Sequence, residues 1–232
     1  MGAQWKHKGR TENAAARGRV FGKLVKELIV AAKGGADPEM NAKLRSAVEA
    51  AKKASMPRDT MERAIKKGAG LLDGPAVSYE VVTYEGFAPH QVPVIVECLT
   101  DNRTRTASNV RLLFRKGQLA AAGAVSWDFE HLGAIEASPP APATDAEAAA
   151  IEAGAQDLEP GDEGQTRFYT ASSDLDAVAK ALSAAKWNVT SQALVWRAKN
   201  KVTLDDQKRA DVEAFLQGLD EDDDVQNIYA AL

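Results

Sequence analysis

The sequence predicts a multidomain protein of mixed α and α+β class: an amino-terminal helical bundle followed by two small α+β domains, the middle one discontinuous. Three observations carry this expectation. Over the first 70 or so positions apolar residues recur three and four apart, the seam of amphipathic helices. Near Val77 the period changes to alternation, and short strand and helix patterns then follow one another. The end of the chain holds one helix pattern and one strand pattern, which cannot bury a core by themselves and must complete a sheet begun earlier. The expected boundaries are residues 1–75 for a basic arm and helical domain, 76–132 with 203–232 for the discontinuous domain, and 133–202 for an inserted one.

Residues 1–12 read as a basic arm. Phe21, Leu24, Leu28 and Ala32 form the seam of a first helix, which Gly34-Gly35 stops. Asp37-Pro38 suits the opening of a second helix carrying Met40, Leu44, Val48 and Ala51, and Pro57 the first turn of a third carrying Met61 and Ile65 before Gly68. Helices this short are not stable alone, so the three must share a core. Tyr79, Val81 and Thr83 alternate with Glu80, Val82 and Tyr84 as a strand, and residues 92–99 read as a second. Asp101-Asn102 offers caps for a helix through Ala107, Val110 and Phe114, and residues 124–129 read as a further strand. The Pro- and Ala-rich residues 137–143 suggest a linker or exposed loop. Helix patterns at 145–153 and 174–185 alternate with strand patterns at 166–170 and 189–196. Leu204-Asp205-Asp206 opens a last helix with Val212, Phe215 and Leu219; the acidic residues 220–224 read as a solvated turn before a terminal strand at 225–229.

Charge is divided sharply along this order. The first 67 residues carry 16 Lys or Arg against seven Asp or Glu, about +9, while the remaining 165 carry 13 against 26, about −13. A cationic module of this kind is drawn to a polyanion, and the acidic remainder limits indiscriminate sticking. The alternative is a helix surface charged only for solubility, although such surfaces mix the two signs more evenly.

Several chemistries lack their residues. The single cysteine, Cys98, excludes an internal disulfide and a thiolate cluster; within a strand pattern it reads as a buried structural thiol. His7, His90 and His131 have no metal-ligand spacing, so no metal is expected. The glycines at 68, 70 and 74 match neither phosphate-loop nor dinucleotide patterns, and no Ser lies in a nucleophile elbow. Neither a cofactor nor a small-molecule substrate is implied. No run approaches the roughly 18 apolar residues of a membrane span, and the polar, basic opening does not resemble a signal peptide. A reducing cytoplasm suits this composition.

Basic and aromatic residues supply the positive signal. Trp5, Lys6, Lys8 and Arg10 share one arm, where an indole can stack on an exposed base while cations hold phosphates; the competing reading folds Trp5 back into an apolar groove. Lys23, Lys26, Arg45, Lys52, Arg58 and Lys66 add cations on short helices, with dipole complementation the alternative role at helix ends. A second cluster holds Arg103, Arg105 and Arg111. Arg103, Arg111 and Arg115 recur at multiples of four and can share one helical face, and the hydroxyls and amides at its start suit a phosphate. The competing role for these arginines is to balance the acidic carboxy-terminal region within the protein.

Trp5-Lys6-His7-Lys8, Phe21-Gly22-Lys23-Leu24-Val25-Lys26-Glu27-Leu28, residues 56–68 from Met56-Pro57-Arg58 to Lys66-Lys67-Gly68, Tyr84-Glu85-Gly86-Phe87, residues 99–106 around Asp101-Asn102-Arg103, Gly123-Ala124-Val125-Ser126-Trp127, and Asp223-Asp224-Val225-Gln226-Asn227-Ile228-Tyr229 span nearly the whole chain. In these pieces and their order the sequence resembles the YebC family. The resemblance implies three domains, one helical and two α+β, and a non-enzymatic role. Members are described as DNA-binding transcriptional regulators, and others look like translation factors that work on the ribosome. The chain departs from the family pattern at Ala88-Pro89-His90-Gln91 and at Arg115-Lys116-Gly117-Gln118-Leu119.

The function expected is therefore a non-enzymatic, nucleic-acid-binding regulator of gene expression in the cytoplasm, with DNA or ribosomal RNA as partner. A ribosome-associated translation factor binding ribosomal RNA is the alternative, and a hydrolase assembled from scattered His, Asp and Glu is a more distant one. The oligomeric state stays open.

Overall fold

A computed structural model describes residues 14–72, 78–141 and 144–232. The arm residues Trp5, Lys6, Lys8 and Arg10 lie outside the described residues. Three helices come first: α1 (Ala14–Ala32), α2 (Ala42–Lys53) and α3 (Arg58–Gly68). They share a core of Leu28, Ile29, Ala32, Leu44, Ala47, Ala51, Met56, Met61 and Ala64, with Phe21 and Leu24 partly buried at its margin. The three- and four-residue spacing thus places its residues where a bundle needs them.

The second helix starts later than Asp37-Pro38. Asn41 is its N-cap: Oδ1 accepts the amide of Leu44, while Nδ2 donates to the carbonyls of Ala31 and Gly35. One amide side chain therefore satisfies both the end of α1 and the start of α2. Asp37 instead accepts the amide of Glu39 in a local turn, which leaves Met40 before the helix and 87% exposed.

α3 crosses α1 closely. A Cβ on Gly68 would lie 2.2 Å from the Ile29 carbonyl oxygen and 2.8 Å from its Cα, and backbone cannot swing aside. Gly68→Ala should therefore destabilise the bundle by about 1–3 kcal/mol. Gly22→Ala, within α1, meets nothing within 4 Å and should stabilise it by about 0.5–1 kcal/mol. Urea unfolding of the two variants checks the opposite signs.

The middle domain is built on a four-stranded sheet. β1 (Glu80–Ala88) and β2 (Val92–Thr100) form an antiparallel hairpin, β3 (Gln118–Leu119) pairs with β1, and β8 (Val225–Ala230) pairs with β2, Val96 opposite Ile228. α4 (Arg103–Leu113) and α7 (Asp206–Asp220) supply the rest of the core. Val92, Val94, Val96 and Cys98 from β2 meet Val110, Phe114, Val212, Phe215, Leu216 and Leu219, with the rings of Phe114 and Phe215 edge to face at 5.3 Å. Burial pushes the Cys98 thiol up to about 12, so it is a packing group. At the hairpin tip His90 Nε2 lies 2.9 Å from Asp211 Oδ2, which ties the altered turn to α7.

Residues 124–129 are not a strand. They form a turn and a 3₁₀ segment, Ser126–Asp128, and strand begins only at Phe129. The reason lies 40 residues earlier. The buried Glu85 carboxylate accepts the amides of Gly123, Val125 and Ser126, which removes the donors a ladder would use. Burial acts to raise the Glu85 carboxyl, but these amide bonds outweigh it and hold it below its ordinary value. α4 likewise ends at Leu113, and Arg115 falls in a 3₁₀ turn (Phe114–Lys116), off the helical face shared by Arg103 and Arg111.

The inserted segment builds a second four-stranded sheet from β4 (Phe129–Ser138), β5 (Asp157–Pro160), β6 (Thr166–Ala171) and β7 (Asn188–Ala198), in the order β5-β6-β4-β7. α5 (Ala146–Ala153) and α6 (Leu175–Ala184) cover Ile135, Ala137 and Phe168, with Trp187 edge-on to Phe168. Strand continues to Ser138, so the expected linker begins later than 137. β5 has no apolar alternation and went unpredicted; it forms by pairing with β6, where Arg167 bridges Glu136 and Glu159. The chain divides into two compact units, one running to Glu130 and resuming over Arg197–Leu232, the other His131–Trp196.

Candidate nucleic-acid interface

The predicted cations fall into two groups with different surroundings. Lys23, Lys26 and Arg105 turn toward acids of the same chain. Lys23 Nζ donates to the carbonyl and the carboxylate of Asp220, and Lys26 Nζ lies 2.6 Å from Asp224 Oδ1 while also reaching the Leu99 and Asp223 carbonyls. Arg105 Nη2 donates to both Asp224 oxygens and to Asp101. The hydroxyl of Thr106 completes the shell at 2.8 Å from Asp224 Oδ2 and is itself bonded to Thr100. Beside this cluster Gln226 Nε2 donates to Glu27 on α1.

Asp224 is thus a buried carboxylate shared by α1, α4 and the start of β8, its side chain 5% exposed. Burial acts to raise its carboxyl, yet hydrogen bonds from Lys26, Arg105 and Thr106 outweigh that and hold it below the ordinary 3.8. The acidic stretch before β8 is therefore not simply a solvated turn. Its members Asp220 and Asp224 fasten the helical domain to the middle one.

The second group faces solvent. From Ala42 to Gly68, α2 and α3 present eight exposed Lys or Arg against three exposed carboxylates, Glu49, Asp59 and Glu62. Lys52 pairs with Glu49 and Arg58 with Glu62 within single helical turns, and such exposed pairs hold their cations weakly. Arg45 donates to the Pro38 and Glu39 carbonyls across the loop before its helix. Lys66 stands in the last turn of α3, exposed. In the middle domain Arg103 lies 3.7 Å from Glu80, and Arg111 is exposed in the last turn of α4. Asn102, rather than Asp101, caps α4 by accepting the Arg105 amide. Among the described residues, no group of three or more His, Cys, Asp or Glu is placed to hold a metal ion, and no helix is long and apolar enough to cross a membrane.

Comparison with known proteins assigns this arrangement. A family model described as the TACO1/YebC protein N-terminal domain matches residues 2–71, and one described as the TACO1/YebC second and third domain matches residues 79–232. The chain belongs to the TACO1/YebC family. It is 62% identical over 233 residues to a "Probable transcriptional regulatory protein" of Pseudomonas syringae pv. tomato, covering 100% of this chain and 99% of that one. A protein with the same description from Bdellovibrio bacteriovorus is 49% identical, with 100% of each chain covered. The crystal structure of a conserved hypothetical protein from Aquifex aeolicus superposes with a TM-score of 0.80 at 43% identity, covering 99% of this chain and 95% of that one.

Within this TACO1/YebC chain, two of the stretches that carried the resemblance meet in space. Thr100, Arg105 and Thr106 from one and Asp224 from the other form a single hydrogen-bonded cluster. Sequence reasoning missed Asp224 and Glu85 because each looks like one more surface acid. The only local signal is the neighbouring Thr100 and Thr106, hydroxyls at the mouth of a helix already supplied with a cap.

Proposed function

We propose that the protein is a non-enzymatic regulator of gene expression that binds nucleic acid in the cytoplasm through the exposed cations of α2 and α3. The observation carrying this reading is the charge on those helices, eight Lys or Arg against three acids. Arg45, Lys52, Arg58 and Lys66 contact phosphates in it, with Arg103 and Arg111 as further contacts on the middle domain and the arm of Trp5, Lys6, Lys8 and Arg10 as an extension. Lys23, Lys26 and Arg105 have the different task of holding the helical domain in place. DNA is the favoured partner, in keeping with the description that the Pseudomonas and Bdellovibrio relatives bear.

A second reading, ribosomal RNA, is favoured by one feature. α2 and α3 carry neither Asn nor Gln. The side chains suited to reading adenine in a major groove are missing, which favours a partner held through backbone phosphates and shape.

The test is the variant Arg45→Gln/Lys52→Gln/Arg58→Gln/Lys66→Gln, titrated against duplex promoter DNA and against ribosomes over a range of salt. Each lost phosphate contact flattens the slope of log K against log salt by roughly 0.7–0.9, so four should flatten it by about three. An unchanged affinity and slope for both partners would remove these residues from the interface. Loss confined to ribosomes would select the RNA reading.

A further inference from the structure

Trp127 is 69% exposed, an unusual position for the largest apolar side chain. It is also held in place. Its Nε1 donates to the Ala124 carbonyl at 2.9 Å, which orients the ring, and the turn beneath is fixed by the three amide bonds to Glu85. The backbone adds Ala120 N to Glu85 O, at 2.9 Å. A buried carboxylate, three amides and an indole bond together hold one aromatic face toward solvent. The rotamer freedom that binding would otherwise remove is already lost.

A lysine is bonded to the backbone of the same turn. Lys199 Nζ donates to the Trp127 carbonyl at 2.8 Å, the Lys199 amide donates to the Asp128 carbonyl, and Asn200 Nδ2 donates to Asp128 Oδ1. These bonds lay residues 199 and 200 against the Trp127 turn, and Lys201, exposed, is the next residue of the chain. Of the two acids in residues 121–130, Asp128 is buried and bonded to Asn200, leaving Glu130 as the exposed one. A rigid aromatic face beside cations matches an unpaired nucleobase stacked on the ring with its neighbouring phosphates on the ammonium groups.

We infer that Trp127, Lys199 and Lys201 form a subsite for one unpaired nucleobase of a single-stranded or looped nucleic acid. This subsite rests on the nucleic-acid-binding function proposed above but is separate from the α2–α3 surface, which holds backbone phosphates.

The experiment measures binding of the full-length protein to a short single-stranded oligonucleotide with 2-aminopurine at one position. Variants are Trp127→Leu, Trp127→Phe and Lys201→Gln, each checked by thermal melting. Trp127→Leu should weaken binding about 5- to 150-fold and abolish the stacking-induced quenching, because base–aromatic stacking is worth about 1–3 kcal/mol. Trp127→Phe, which keeps a π-face, should retain most of both signals. Lys201→Gln should keep the quenching and flatten the salt slope by about 0.7. Equal affinity and quenching in wild type and Trp127→Leu would overturn the subsite, and so would equal losses in the Leu and Phe variants. A Trp127→Leu defect seen only with whole ribosomes, never with the bare oligonucleotide, would overturn it in favour of a protein surface. Duplex binding measured in parallel separates the two proposals: if it persists while Trp127→Leu is silent, only the subsite fails, whereas wild type that binds neither strand form nor ribosomes removes the function on which it rests.

Discussion

Removal of residues 203–232 should unfold the middle domain, not shorten a tail. α7 and β8 place Val212, Phe215, Leu216, Leu219, Val225 and Ile228 in the same core as Val92, Val94, Val96 and Cys98 of β2. Each buried side chain of this size contributes about 1.5–3 kcal/mol, so the six together reach roughly 10 kcal/mol or more. That equals the whole stability of a typical domain, about 5–15 kcal/mol. β2 would also lose its hydrogen-bonded neighbour and become an apolar edge prone to aggregation. Hydrogen exchange should show Glu80–Ala88 and Val92–Thr100 losing protection, while unchanged protection of both strands would refute the shared core. A milder variant, Phe215→Ala, should cost about 3–5 kcal/mol while leaving the chain connected.

Asp224→Asn should cost on the order of 3 kcal/mol, the scale for removing one partner of a buried ion pair. The figure falls toward the lower end because Arg105, 48% exposed, can turn to water, whereas Lys26 at 15% cannot do so as readily. The damage should concentrate on the attachment of α1: amides near Lys23 and Lys26 should exchange faster while the sheet stays protected. A pH series supplies a second reading. The folded carboxyl lies below its ordinary 3.8, so its contribution is complete above about pH 4 and is lost as pH falls through the folded value. Wild type should therefore lose more stability than the Asn variant on going below pH 4. Parallel acid profiles for the two proteins would show that the Asp224 charge does not stabilise the fold.

These expectations differ from a reading of the chain as a string because they depend on partners distant in sequence. Where the partner is a few residues away, sequence was enough. Asp205 accepts a first-turn amide of α7 where Leu204-Asp205-Asp206 was read as opening that helix, and Asn102, one of the two caps offered for α4, accepts the Arg105 amide. The seam through Leu28 and Ala32 is buried as its spacing requires. α2 was misplaced because Asn41 serves two helix ends, one of them ten residues back. The strand expected at 124–129 fails because Glu85 takes its amides, and nothing within that segment announces it. For the candidate interface, charge density along the first 67 residues was legible, yet it could not separate cations facing solvent from cations facing Asp220 and Asp224.

The sequence alone determined the helical bundle, the change to alternating strands, the need for the carboxy-terminal helix and strand to rejoin an earlier sheet, and the cationic character of the amino-terminal domain. Each follows from periodicity or composition, which act over one or two turns of chain or over a whole segment. The tertiary structure decided which lysines are spent inside the protein, that Asp224 is a buried anchor, and that Trp127 stands exposed on a turn held by Glu85. A carboxylate among amides and cations is stable buried, while the same carboxylate among waters is stable exposed, and only the three-dimensional neighbourhood distinguishes the two.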